Sequence, residues 1–217
     1  MNIKGKTIIR GGRLLNGQAH TAPRTDILVD GDTILEIGRP GLAAPEDATV
    51  VNANGQLLHP GLVNAHTHGH GNLSKGMGDR WTLELLLASG PWSFGQRVFE
   101  DTYLTALIGA VEMVTKGCTS CYDLILEMPM PTPEGLDATG RAYADVGMRA
   151  VVAPMVADKT LYEAIPGLME ALTPSLRKDV EKLRMAPYRA SLANMRKALH
   201  GWSVDSDLTR LAVAPTI

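Results

Sequence analysis

The sequence has 217 residues, of which 45% are hydrophobic and 20% charged, and a formal net charge of −2. That is enough apolar material for one large domain, or for a main domain with a small one attached, and it excludes a disordered chain. Lys and Arg are scattered, which leaves no electrostatic footprint for nucleic acid or an anionic membrane.

The first segment, "MNIKGKTIIRGG", has no apolar core followed by a cleavage site, and no window reaches the roughly 18 apolar residues that a spanning helix needs. A cytoplasmic location is the expectation. Next, "KTIIRGGRLL", "TDILVDGDTILEIG" and "ATVVNANGQLL" are short Val/Ile-rich runs separated by Gly, Asn and Asp turns, with a tight hairpin turn at Asp30-Gly31. Residues 1–58 therefore read as a small antiparallel β unit.

Over 59–217 the pattern changes to strands alternating with helices. "GLVNAH" is a short apolar strand, and a polar Gly-rich loop follows it. "FEDTYLTALIGAVEMVTKG" predicts a helix with Tyr103, Leu107, Ile108, Val111 and Val114 on one face, stopped at Gly117. "CTSCYDL" is the second strand, "LEMPMPTPEG" a structured loop, and "PEGLDATGRAYADVG" a helix closed by Gly147. "MRAVVAP" is the third strand, a long helical region runs from about Leu161 to His200, and "LTRLAVAPT" is the fourth. This order signals parallel βαβ units, and so a barrel or a doubly wound sheet.

The two cysteines, Cys118 and Cys121, have Cys-x-x-Cys spacing, which suits a redox pair or a zinc site. On a strand, however, positions three apart point to opposite faces, so they read as plain core residues.

Histidines supply the strongest chemical signal. In "HPGLVNAHTHGHGN", His66 and His68 lie two apart at the C-terminal end of the first βα strand, and period two sends both imidazoles to one side. Two ring nitrogens placed that way can share a cation at about 2.0–2.1 Å per bond. In parallel barrels the catalytic groups gather at these strand ends; a pair of solvated loop histidines is the plainer alternative. His70 lies where the chain turns into "GNLSKGMGD", which suits a residue facing substrate or supporting a ligand, or else a solvated one. Lys75, Asp79, Arg80 and Trp81 in this loop are candidates for substrate contact, or surface and packing residues. Asp123 ends the second strand and could either orient a ligand histidine or cap the turn that follows. His20 and His59 belong to the β unit and its exit, and His200 to the helical region.

"LLHPGLVNAHTHGHGNLSKGMGD", preceded by "TDILVDGDTILEIG", resembles the start of the amidohydrolase superfamily, in the cytosine deaminase and chlorohydrolase-like branch that includes guanine deaminase and triazine hydrolases. "KGCTSCYD", "VGMRAVVAP" and "TRLAVAPTI" resemble that family's second, third and fourth barrel strands, so the likeness runs along essentially the whole chain. The resemblance implies an α/β fold: the first half, about four βα units, of a (β/α)8 TIM-type barrel, with residues 1–58 forming part of a composite β-sandwich. It implies that His66 and His68 bind a divalent metal ion, zinc ahead of iron, that activates water against a ring carbon of a small N-heterocyclic substrate. A non-peptide C–N bond would then be hydrolysed with loss of ammonia.

The same resemblance implies groups that this sequence lacks: histidines on strands five and six, an acid-base glutamate, and an aspartate on strand eight. Two expectations follow. Either the sequence is the N-terminal part of a metal-dependent aminohydrolase completed by further polypeptide, or it is a catalytically incomplete half-barrel. The isolated 217 residues are expected to associate, as a homo-oligomer or with a complementing chain, and to bind metal weakly.

Overall fold

A computed structural model of the chain describes residues 5–94, 97–204 and 207–216. The chain divides into two compact units, Met1–Pro60 and Gly61–Ile217.

In the first unit, strands β1 (Lys6–Leu14), β2 (Arg24–Asp30), β3 (Thr33–Gly38), β4 (Thr49–Asn52) and β5 (Leu57–Leu58) form one sheet of order β3-β2-β1-β4, with β5 also on β1. β2 and β3 are antiparallel and joined at Gly31, whose φ of 57° is the left-handed value that a tight hairpin needs. The sheet is not wholly antiparallel, as the sequence suggested. β4 and β5 run parallel to β1 because the chain returns to that edge through the long connection after Gly38 rather than through a hairpin.

β1 carries a bulge between Ile9 and Gly12. There Gly11, at φ 73°, turns its N–H onto Oδ1 of Asp26 at 2.8 Å. Asp26 is only 1% exposed, and its Oδ2 also accepts from Arg10 at 2.7 Å and from the Gly41 N–H at 2.9 Å. Burial alone would raise this carboxyl's pKa, but Arg10 and the N–H groups of Gly11, Gly41 and Leu42 together hold it down at about 2.

The second unit is α/β with a parallel sheet. β6 (Leu62–Thr67), β7 (Cys118–Ile125) and β8 (Arg149–Val156) lie side by side, and both β9 (Thr209–Leu211) and β10 (Ala214–Pro215) pair with β8. The expected fourth strand is therefore broken into two short pieces. A 3-10 segment (Gly69–Ser74), α1 (Leu83–Phe94) and α2 (Phe99–Thr115) link β6 to β7, and α3 (Pro133–Val146) links β7 to β8. The long helical region after β8 is four helices: α4 (Leu161–Ala164), α5 (Leu168–Ala171), α6 (Pro174–Glu181) and α7 (Tyr188–Gly201). Pro166, Pro174 and Pro187 explain the breaks, since proline inside a helix removes a hydrogen bond and clashes with the preceding turn.

α3 forms as its sequence dictates. Thr132 caps it by accepting from the Gly135 N–H at 3.1 Å, Pro133 opens it, and Gly147 closes it at φ 76°. Leu136, Ala142 and Tyr143 from this helix pack with Cys121 and Ile125 of β7, Val152 of β8, and Ala106 and Ala110 of α2 to form the core.

α2 departs from its predicted face. Tyr103 and Leu107 do pack against the core, but Ile108, Val111 and Val114 are exposed, while Thr105, Ala106, Gly109 and Ala110 are buried. The helix approaches its neighbours too closely for large side chains: a Cβ on Gly109 would lie 2.2 Å from Nδ2 of Asn72.

The cysteines are plain core residues, as expected, though the opposite-face geometry expected of them does not hold. Both are unbridged, but Cys121 is buried in the core and Cys118 packs against the same cluster. Leu62 pairs with Cys118 and Val63 with Ser120, so Thr119 is an extra residue that resets the alternation and brings positions three apart to one face. No helix among the described residues is long and apolar enough to cross a membrane.

Candidate metal centre

β6 pairs with β7 along one side only and ends the sheet on the other. Its register with β7 shifts again between Asn64 and Thr67, where His66 sits. His66 and His68 face each other with their Nε2 atoms 3.0 Å apart and their ring planes at 81°. Both side chains are exposed.

Nδ1 of His68 lies 2.9 Å from the carbonyl oxygen of Leu124. A carbonyl only accepts, so the proton sits on Nδ1 and the lone pair is on Nε2, directed at His66. Metal-ligating histidines show this arrangement, with one nitrogen held by an acceptor and the other free to coordinate. Zn–N bonds of about 2.0–2.1 Å reach nitrogens at this separation with a roughly right-angled N–Zn–N, so the pair fits one small divalent cation. Among the described residues no cluster of three or more His, Cys, Asp or Glu side chains is placed to hold a metal ion. The pair thus brings two nitrogen donors together, with no third such group placed to join them among the described residues.

His70 is engaged differently. Its Nδ1 accepts from the Leu126 N–H at 3.0 Å, and burial, then the neighbouring His68 and Arg97, push its pKa down to about 3. The ring is therefore neutral and anchored to the strand end. It lines a small cavity, about 60 Å³, together with Gly69, Arg97, Thr105, Asp123 and Glu127. Ligand pockets usually span about 300–1,000 Å³, so this space suits water rather than a heterocycle. Glu127 accepts from the Thr132 N–H at 2.9 Å and from its hydroxyl, and burial raises the pKa of its carboxyl.

The other loop candidates do not line this cavity. Lys75 is ion-paired with Glu112 on α2. Asp79 and Trp81 are exposed, flanking Arg80 at φ 66°, and the turn closes with the Trp81 N–H donating to Gly78 O at 3.1 Å.

Asp123 makes neither of the direct hydrogen bonds read from its position. It is fully buried, touches no histidine ring and does not cap the turn after its own strand; Oδ1 accepts from the Gly69 N–H at 2.7 Å and Oδ2 from the Tyr143 hydroxyl at 2.7 Å. Sequence reasoning also missed Gly69, Thr105, Asn72 and Tyr143, which surround the loop. The glycine between two histidines was the one local signal, since such a residue often marks a close approach.

The parallel α/β unit places the His66–His68 pair at the C-terminal end of a strand, where α/β barrels gather their functional groups. The chain belongs to the amidohydrolase family, whose sequence pattern its residues 57–209 match. It is 28% identical over 216 residues to the 5-methylthioadenosine/S-adenosylhomocysteine deaminase of Thermococcus kodakarensis, covering 97% of this chain and 50% of that protein. The solved triazine hydrolase of Arthrobacter aurescens matches with a TM-score of 0.74 at 21% identity, over 98% of this chain and 46% of that one. An adenosine deaminase from Xanthomonas campestris, solved with bound zinc, matches with a TM-score of 0.70 at 21% identity, over 96% of this chain and 42% of that one. The chain spans about half the length of the relative and of the structures it matches.

Proposed function

We propose that this sequence is part of a metal-dependent aminohydrolase that deaminates an aminopurine nucleoside. The observation that supports it most is the His66–His68 pair, with Nε2 atoms 3.0 Å apart and the lone pair of His68 fixed by Leu124. A relative matched along nearly the whole chain is a deaminase of adenosine derivatives, which favours a purine over a pyrimidine or triazine.

His66 and His68 would hold the ion, and zinc is favoured over iron by the zinc-bound neighbour. When bound, such an ion supplies Lewis acidity that brings the pKa of water towards neutrality. The chain's own contribution is to present the His68 imidazole in the coordinating tautomer with the His66 Nε2 beside it, and to keep His70 neutral next to them. His70, Lys75, Asp79 and Trp81 stand as candidates for the substrate-facing wall; His70 alone of the four lines the cavity beside the pair.

A hydrolytic site needs at least three protein ligands and an acid-base group. We propose that these come from polypeptide beyond the described residues, and that Leu62 and Val63, exposed on β6 at the sheet edge, are covered when it is in place. The parallel sheet is then the first part of a (β/α)8 barrel, with about four βα units, and the sheet of the first unit is one layer of a β-sandwich.

The test is ammonia release from 5′-methylthioadenosine by the native protein. Release that stops on chelation, returns with zinc and falls to background in His66→Ala and His68→Ala variants is the expected result. Release that survives loss of both histidines contradicts the reading.

A further inference from the structure

We infer that Asp123 is a positioning residue, braced by Tyr143, that sets metal affinity at the His66–His68 pair without touching metal or substrate; this rests on the reading of that pair as a metal centre.

Three successive loop residues are tied to the end of β7. His68 Nδ1–H donates to Leu124 O at 2.9 Å, Gly69 N–H to Asp123 Oδ1 at 2.7 Å, and the Leu126 N–H donates to His70 Nδ1 at 3.0 Å. Only the middle tie depends on a β7 side chain, so it alone can be removed from β7 while the backbone and both imidazoles stay intact. Asp123 is fixed at its other oxygen by the Tyr143 hydroxyl at 2.7 Å, and both residues are completely buried, where hydrogen bonds are strong and an unpaired polar group is costly. The far side of the same peptide is held as firmly: Gly69 O accepts from Thr105 Oγ1 and from Asn72 Nδ2, each at 2.9 Å.

Gly69 is glycine for this contact. Its φ lies outside the left-handed region, yet a Cβ there would sit 2.3 Å from Oδ2 of Asp123. The carboxylate, not the backbone twist, demands the absent side chain. Because Asp123 immediately precedes Leu124 and Gly69 immediately follows His68, fixing the Gly69 N–H on Asp123 also fixes the His68 ring against the Leu124 carbonyl. The outcome is an Nε2 held in the coordinating tautomer, 3.0 Å from its partner on His66.

The test measures Zn2+ affinity of the native protein by chelator competition, together with the ligand-field absorption of its Co2+ form, which reports ligand geometry and not mere folding. His68→Ala defines the loss of a ligand. Removing a group that orients a metal-binding histidine typically costs about 10- to 100-fold in affinity, and Asp123→Ala should fall in that range with an altered Co2+ spectrum. Asp123→Asn keeps an acceptor for the Gly69 N–H and should restore most of the affinity and the native spectrum. Tyr143→Phe leaves the carboxylate in place but unbraced and should weaken binding by about 10-fold.

If the native protein and His68→Ala bind Zn2+ alike, the metal centre itself is wrong. If His68→Ala loses binding but a folded Asp123→Ala matches the native affinity and spectrum, the positioning role is overturned. Should Asp123→Ala fail to fold, Tyr143→Phe decides: native affinity and spectrum in that variant also overturn it.

Discussion

The two nitrogens of His68 are assigned by their surroundings, one to the Leu124 carbonyl and one to the space shared with His66. Losing either imidazole should lower metal occupancy and activity together, whereas Cys118→Ala and Cys121→Ala should affect mainly stability. Cys121 is chemically quiet for a separate reason, since burial pushes its thiol up to about 12. Alkylation at neutral pH should leave Cys121 unmodified in the folded protein and label it only on denaturation, as peptide mass mapping would read out. Asp26 gives a prediction with a pH sign. Its folded pKa of about 2 lies below the ordinary 3.8, so its contribution is complete above about pH 4 and is lost as pH falls towards 2. Denaturant melts across this range should show the native protein losing stability that an Asp26→Asn variant no longer has to lose. At neutral pH that variant should be less stable by about 1–3 kcal/mol, the usual cost of disturbing buried hydrogen-bond partners. Much of this scale was readable in advance where it is local. His66 and His68 follow from their spacing of two at a strand end, although His68 lies one residue past β6. Asp123 gripping Gly69 joins residues 54 apart in sequence and Tyr143 joins it from 20 away, and no spacing rule reports such contacts.

Among the elements, α3 was the most legible because its signals are all local: Thr132, Pro133 and Gly147 mark its ends, and its core face follows the helical period. Leu136 is fully buried on that face, so Leu136→Ala should cost about 2–5 kcal/mol, measurable as a lower unfolding midpoint with activity per folded molecule unchanged. α2 was legible in extent but not in orientation. Its bulky residues made the stronger apolar stripe, yet the close packing around Asn72 favours Gly109 and Ala110. Gly109→Ala should therefore disturb the loop that holds His68, seen as weaker metal binding alongside lower stability. The cysteines were legible as core residues but not their shared face, because the bulge at Thr119 shows only in the pairing register with β6.

At the scale of the molecule, the parallel α/β sheet and the change of grammar near residue 58 could be read from the pattern of apolar runs and glycine stops. The parallel placement of β4 on β1 could not, because it depends on how a long connection returns. The proposed centre has two histidines from one strand end and no third such group among the described residues, and the chain spans about half the length of the relative it matches. The most direct test is the metal content of the native protein, measured by elemental mass spectrometry beside a variant lacking both His66 and His68. A single tightly held divalent ion per chain, zinc foremost, that disappears in the variant is the expected result. Equal metal content in the two proteins would contradict the account.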